Sequence, residues 1–161
     1  MKQLIAVFIV GGVLGVAAGF AGGIFVYPYI FLAGQVAMDA PVSADKTVAA
    51  RGTFIHANPG DPVHYGKGRV TVYNDTVRLE SDFEVGPGPK FHVYLVPKTD
   101  IKASSDVKGT MFVDLGRLRA FKGAQNFRIP AGVDLKKFGS VVIWCEAFGV
   151  LISPAALKFE K

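Results

Sequence analysis

Cysteine is almost absent from this chain: Cys145 is the single one among 161 residues. One thiol cannot form a Cys-x-x-Cys dithiol, an intrachain disulfide or a Cys-x-x-Cys-His haem attachment. An iron–sulfur cluster needs more cysteine ligands than the chain supplies. A blue-copper loop needs His and usually Met soon after its Cys, and neither follows Cys145. Histidine is scarce too, limited to His56, His64 and His92. Gly-x-Ser-x-Gly, His-Glu-x-x-His and cysteine-protease signatures are missing, which removes the common hydrolase and peptidase classes. Asp82 and Glu84 lie two apart on one strand face and read as solvated surface, not as an acid–base pair.

Charge is missing from Gln3 to Met38, and Leu4 to Ala33 is an almost wholly apolar run of about 30 residues. A bilayer core needs about 20 apolar residues in a helix. Signal-peptide apolar regions are roughly 7–15 residues long. The run therefore reads as an uncleaved anchor, although Ala17-Ala18-Gly19 resembles a cleavage site. Pro28 is expected to end or kink the helix because it has no N–H to donate, which puts the span at Leu4 to about Tyr27. Tyr27, Tyr29 and Phe31 then fall at the outer interface, where aromatic side chains concentrate. Lys2 precedes the span, and Asp39 and Asp45 follow it before Lys46. That bias places the N-terminus in the cytoplasm and the remainder outside. The expected localisation is a single-pass protein of the cell membrane with an extracytoplasmic C-terminal domain, periplasmic in a bacterium.

Long like-charge runs are also lacking. The 18 Lys and Arg are interspersed with 13 Asp and Glu, for a net charge of +5. Mild basicity suits a surface near anionic lipid, and no basic stripe with interleaved aromatics points to nucleic acid.

The chain divides into an anchor at 1–34, a small polar linker at 35–50 with Pro41 and Ser43, and one domain at 51–161. The domain is long enough for a real core. Short apolar or alternating runs recur between turn signals, at 52–56, 69–73, 76–80, 91–96, 111–115, 125–129, 141–145 and 148–152. Asn74-Asp75 marks a hairpin. Only 133–138 reads as helical, for about a turn and a half. The expected fold is all-β: an antiparallel sandwich or barrel of about 8–10 short strands behind one transmembrane helix.

Within the span, Gly11, Gly15, Gly19 and Gly23 are four apart and form one flat helical stripe. Such stripes let a second backbone approach closely, so self-association through this face is expected.

Alternation in the Cys145 strand puts Val141, Ile143, Cys145 and Ala147 on one face, which is small and wholly apolar and reads as the core side. Val142, Trp144, Glu146 and Phe148 take the other. A buried free cysteine behaves as a small hydrophobe, and Glu146 beside it opposes thiolate formation. Yet an unpaired thiol in an oxidising compartment is a liability unless buried or used. His92 lies opposite in face to Phe91, Val93 and Leu95, and His64 sits in a turn-rich segment. Thiolate and imidazole are both plausible ligands for haem iron or a soft metal.

Taken in order, several stretches resemble the DM-thirteen electron-transfer family. They are 68–73, Val77-Arg78-Leu79-Glu80 with Asp82-Phe83-Glu84-Val85, Gly88-Pro89-Lys90-Phe91-His92-Val93-Tyr94-Leu95, 113–116, 125–135, and Ser140 to Phe148 with its Trp144-Cys145 pair. The resemblance spans about Gly52 to Lys158. It implies a β-rich domain whose signature cysteine matches Cys145, acting in redox chemistry as a free thiol or as a ligand to haem or another metal, with His92 or His64 as further ligands. A His-His pair that members often carry before a Ser-Gly-Thr turn is matched here by His64-Tyr65 and Lys67-Gly68-Arg69, so half of that pair is missing. Ser81 is an extra residue, consistent with a bulge or turn.

Two functions follow. One is a membrane-anchored, extracytoplasmic electron-transfer or redox-sensing domain centred on Cys145, without a recognisable enzyme motif and with a redox partner still to be named. The other is a non-redox binding module of the cell envelope in which Cys145 is a buried structural residue.

Overall fold

A computed structural model describes residues 2–27, 30–31 and 33–160. Pro28 and Tyr29, expected to break the helix and to sit at the interface, lie outside the described residues. Helix α1 spans Lys2–Tyr27 and is exposed along its described length. It is apolar on every side, which is the pattern of a helix solvated by lipid. Its stretch Lys2–Ile24 is long and apolar enough to cross a membrane, as an anchor or a signal sequence. The Tyr27 and Phe31 rings stack with centroids 5.0 Å apart just beyond it.

The remainder is β-structure. The strands are β1 (Val36–Met38), β2 (Val48–Phe54), β3 (Gly66–Lys67), β4 (Arg69–Tyr73), β5 (Thr76–Leu79), β6 (Glu84–Val85), β7 (Phe91–Val96), β8 (Val113–Arg117), β9 (Lys122–Arg128), β10 (Ser140–Cys145) and β11 (Val150–Phe159). They form one 11-stranded sheet in the order β3-β6-β9-β5-β4-β2-β11-β10-β7-β8, with β1 added beside β9. Every pairing is antiparallel except β1 with β9. The expectation of a sandwich or barrel of about 8–10 strands is therefore corrected to a single sheet of 11 strands that does not close. Alternation fixes which face of a strand is buried, but it carries no information on whether the last strand meets the first. Twisted open sheets of this size curl, and this one wraps its inner face around a core drawn from its whole width, including Val70, Leu79, Phe83, Val93, Ile143 and Ile152.

The Asn74-Asp75 hairpin joins β4 to β5 as expected. Ser81 and Asp82 form the turn before β6, closed by Phe83 N–H to the Glu80 carbonyl at 3.0 Å. The expected helical piece is a 3-10 turn at Leu135–Lys137, capped by the Asp134 carboxylate accepting from Lys136 N–H. Within the segment read as linker, β1 pairs in register Val36↔Lys122 to Met38↔Ala124. Asp39 then accepts from Asn126 N–H at 2.8 Å and pairs with Arg119.

Strand β10 is buried on both faces. Val141, Ile143 and Cys145 enter the main core, as alternation predicts. The opposite side, Val142 and Trp144, is also covered, by Tyr94, Ile101 and Val107 in a second cluster. The segment between β7 and β8 folds back over the outer face of the sheet there, which strand periodicity alone does not reveal. Pro154 sits in β11 where pairing with β2 has not yet begun, since that ladder starts at Ala155↔Phe54. A proline without an N–H is tolerated at such a local edge.

Candidate functional site

Cys145 ends β10, opposite Phe91 on β7 and Val150 on β11. The residue is 1% exposed. Its thiol donates to the Pro89 carbonyl at 3.2 Å. The following turn, closed by Gly149 at φ 61°, carries the Ala147 and Phe148 amides back toward the sulfur. Burial pushes the Cys145 thiol pKa up, and the Glu146 charge adds to that; the Phe148 and Ala147 N–H groups act the other way by favouring negative sulfur. The resting group is a neutral thiol, with two amide dipoles set to receive charge if it ionises.

The partner loop is shaped to meet it. Lys90 has φ 51°, the one non-glycine residue in the left-handed region among the described residues. That kink presents two successive carbonyls to the end of β10: Pro89 O to the Cys145 thiol, and Lys90 O to Glu146 N–H at 3.1 Å. Backbone strain of this kind costs about 1–3 kcal/mol and persists where the surroundings hold it.

Beside the sulfur lies a cavity of about 320 Å³, walled by Val63, Pro87, Pro89, Phe91 and Phe148, with His64 and Cys145 also lining it. His64 is fixed by Asp61, whose carboxylate contacts His64 Nδ1 at 2.6 Å and accepts from Val63 and His64 N–H. The His64 ring hydrogen bond, with those amides, holds the Asp61 carboxyl down to about 2. The structure thus brings His64 to the same cavity as Cys145. It does not bring His92 there. His92 projects from the outer face of β7, between Asp114 at 3.0 Å from Nδ1 and Glu146 at 3.4 Å from Nε2. His56 does not line the cavity but shares Asp61 with His64, its Nε2 2.7 Å from the Asp61 carbonyl.

The size of the cavity bears on what can bind. Small-molecule sites run upward from about 300 Å³, so this one is large enough for a small molecule or an ion. With His92 on the other face, Cys145, His64 and His92 do not converge on one site; Cys145 and His64 share the cavity. Sequence reading passed over the Pro89–Lys90 kink and the Asp61 brace. Pro-Gly-Pro before β7 was the available signal for the first, and Asp61 three residues before His64 for the second.

The fold and site define a mostly antiparallel β-domain that buries one thiol at the edge of a small cavity, behind an apolar N-terminal helix. Residues 60–157 match the family described as Electron transfer DM13, and the chain belongs to that family. No curated protein and no solved structure matches the chain.

Proposed function

We propose that this protein is a membrane-anchored, extracytoplasmic electron-transfer domain in which Cys145 is the redox group, acting as a free thiol. The observation that carries the reading is a single thiol lining a cavity of about 320 Å³, where the Phe148 and Ala147 N–H groups favour negative sulfur. The chemistry open to it is thiolate attack on a peroxide O–O bond. That bond breaks, an S–O bond forms, and sulfenic acid and hydroxide result, the sulfur losing two electrons and the peroxide gaining them. Attack on a disulfide gives a mixed disulfide and releases the other sulfur as thiolate. The test is peroxide treatment of the full-length protein in detergent, followed by a sulfenic-acid-trapping dione and mass spectrometry. Label on Cys145 is the expected result, and its absence under conditions that oxidise free cysteine overturns the reading.

A second reading has its own observation. Cys145 is 1% exposed and packs in the main core, as a structural cysteine in a non-redox binding module of the envelope does. An inert thiol in the test above selects it.

The anchor and its direction belong to the same proposal. The apolar helix with Lys2 at its start supports a cytoplasmic N-terminus. Protease added to cells with the outer layers opened is expected to digest the β-domain and spare α1; full protection of the domain reverses the topology, and a mature chain that begins at the Ala17-Ala18-Gly19 site means a cleaved signal.

Self-association follows from the glycine stripe. A Cβ at Gly11 or Gly15 would meet nothing within 4 Å, which leaves room there for a second helix, while Gly19 and Gly23 line a cavity shared with Pro89, Lys90 and Arg117. Replacing Gly15 and Gly19 with Leu is expected to shift the detergent-solubilised protein from dimer toward monomer in crosslinking and sedimentation. An unchanged distribution means the glycines are filler.

A further inference from the structure

On the outer face of the sheet, away from the Cys145 cavity, three strands bring potential ligands to one point. His92 is on β7, Asp114 on β8 and Glu146 just past the end of β10. One ligand atom from each lies within 4.8 Å of the other two. We propose that His92, Asp114 and Glu146 form a binding site for a first-row divalent metal ion, of which zinc is the type, independent of the thiol.

The supporting geometry lies in how the ligands are held. Glu146 Oε1 accepts from the Tyr94 hydroxyl at 2.9 Å, which leaves Oε2 toward His92. Asp114 Oδ1 accepts from Gly116 N–H at 2.8 Å, and both its oxygens lie at His92 Nδ1, Oδ1 at 3.1 Å and Oδ2 at 3.0 Å. Each carboxylate thus has one oxygen fixed by a neutral donor, Tyr94 O–H or Gly116 N–H; Asp114 meets His92 at Nδ1 and Glu146 at Nε2, so one ion joins all three once a carboxylate or the ring turns. This is the outer-shell support that metal ligands require, and losing such support commonly costs about 10–100-fold in affinity. His92 is mostly buried while Asp114 and Glu146 are partly exposed, so an ion has a route in, and three protein ligands leave a tetrahedral zinc one position for water.

The donor set selects the ion. Imidazole suits zinc and its first-row neighbours, while magnesium and calcium prefer all-oxygen shells. One group opposes binding: Lys90 Nζ sits 3.0 Å from Glu146 Oε2. Its side chain is more than half exposed, so it can swing into solvent when a cation replaces it.

The test is zinc titration of the full-length protein in detergent by calorimetry, with cobalt substitution read by visible absorption. One zinc per chain is expected, weakened at least about tenfold in His92→Asn, Asp114→Asn and Glu146→Gln. Lys90→Met is expected to tighten it by removing the competing ammonium. Cys145→Ser and His64→Asn are expected to leave it unchanged, and magnesium is expected not to displace zinc. The cobalt form of the unmutated chain reports on the ligands even where a variant fails to fold: a d–d spectrum without a sulfur-to-cobalt charge-transfer band is expected. Such a band, loss of zinc binding in Cys145→Ser, or no saturable zinc binding at all overturns the proposal.

Discussion

Cys145→Ser is expected to abolish peroxide-dependent sulfenic-acid labelling completely while leaving the β-domain folded. The two effects separate because they depend on different properties of the side chain. Reaction needs a sulfur anion, which a hydroxyl cannot supply near neutral pH. Folding needs a small group at the end of β10 that can donate to the Pro89 carbonyl, as the thiol does at 3.2 Å, and a serine hydroxyl donates there too. An unpaired buried hydroxyl costs roughly 1–3 kcal/mol, and this partner keeps the loss at the lower end of that range. In the unmutated protein the reaction is expected to be slow and to accelerate with pH by about tenfold per unit below the thiol pKa, since the thiolate is the nucleophile and burial holds that pKa up. Stability moves in the opposite direction. The folded-state pKa lies above that of the unfolded chain, so ionisation favours unfolding. The contribution is full below the ordinary thiol range and is lost as pH rises through the folded value. Denaturant unfolding monitored across alkaline pH checks the second trend, and labelling kinetics check the first. A serine variant that still traps the dione, or that fails to fold, contradicts the separation.

Much of this was legible in the residues because strand alternation reports burial directly. The pattern Phe91-His92-Val93-Tyr94-Leu95 set His92 on the face opposite the core, and the structure has Phe91, Val93 and Leu95 in the core with His92 outside. The run Val141-Val142-Ile143-Trp144-Cys145 placed the thiol inward, where it lies. Two things were not legible. The first is the cover over Trp144, which comes from Ile101 and Val107 some forty residues earlier; long-range packing of an irregular segment has no period to read. The second is the end of β10. Alternation carried past Cys145 sets Phe148 on the face away from the thiol, whereas the turn after Cys145 breaks the alternation and Phe148 walls its cavity. The grouping of His92 with Asp114 and Glu146 was half visible, because His92 and Tyr94 share a face, but strand register was needed to bring β8 alongside.

Gly86→Ala is expected to destabilise the protein and, unlike most destabilising changes, to expose Cys145. A Cβ at Gly86 would stand 2.2 Å from the Val63 carbonyl oxygen and 3.1 Å from the Tyr65 ring. Main-chain oxygen cannot rotate away, so the 63–65 segment must move. That segment forms the cavity wall at Val63, carries His64, and is tied to Gly86 by N–H to the Tyr65 carbonyl at 3.1 Å. Overpacking of a filled site typically costs about 1–3 kcal/mol. Here the strain is relieved by displacing one loop, so the native position of the 63–65 loop loses stability relative to a displaced one. About 1.4 kcal/mol of that shift corresponds to a tenfold rise in the open population and hence in thiol-alkylation rate. Gly109→Ala is the matched control. Gly109 has φ 82°, so alanine there is strained, yet its Cβ would meet nothing within 4 Å. It is expected to lower stability by about 1 kcal/mol and leave the native alkylation rate unchanged. If both variants label Cys145 at the unmutated rate, the thiol is reached by a route other than the 63–65 loop. If both accelerate it in proportion to lost stability, labelling proceeds through global unfolding and the cavity has no gate. Acceleration confined to Gly86→Ala makes the Asp61-braced loop the element that controls access to the sulfur.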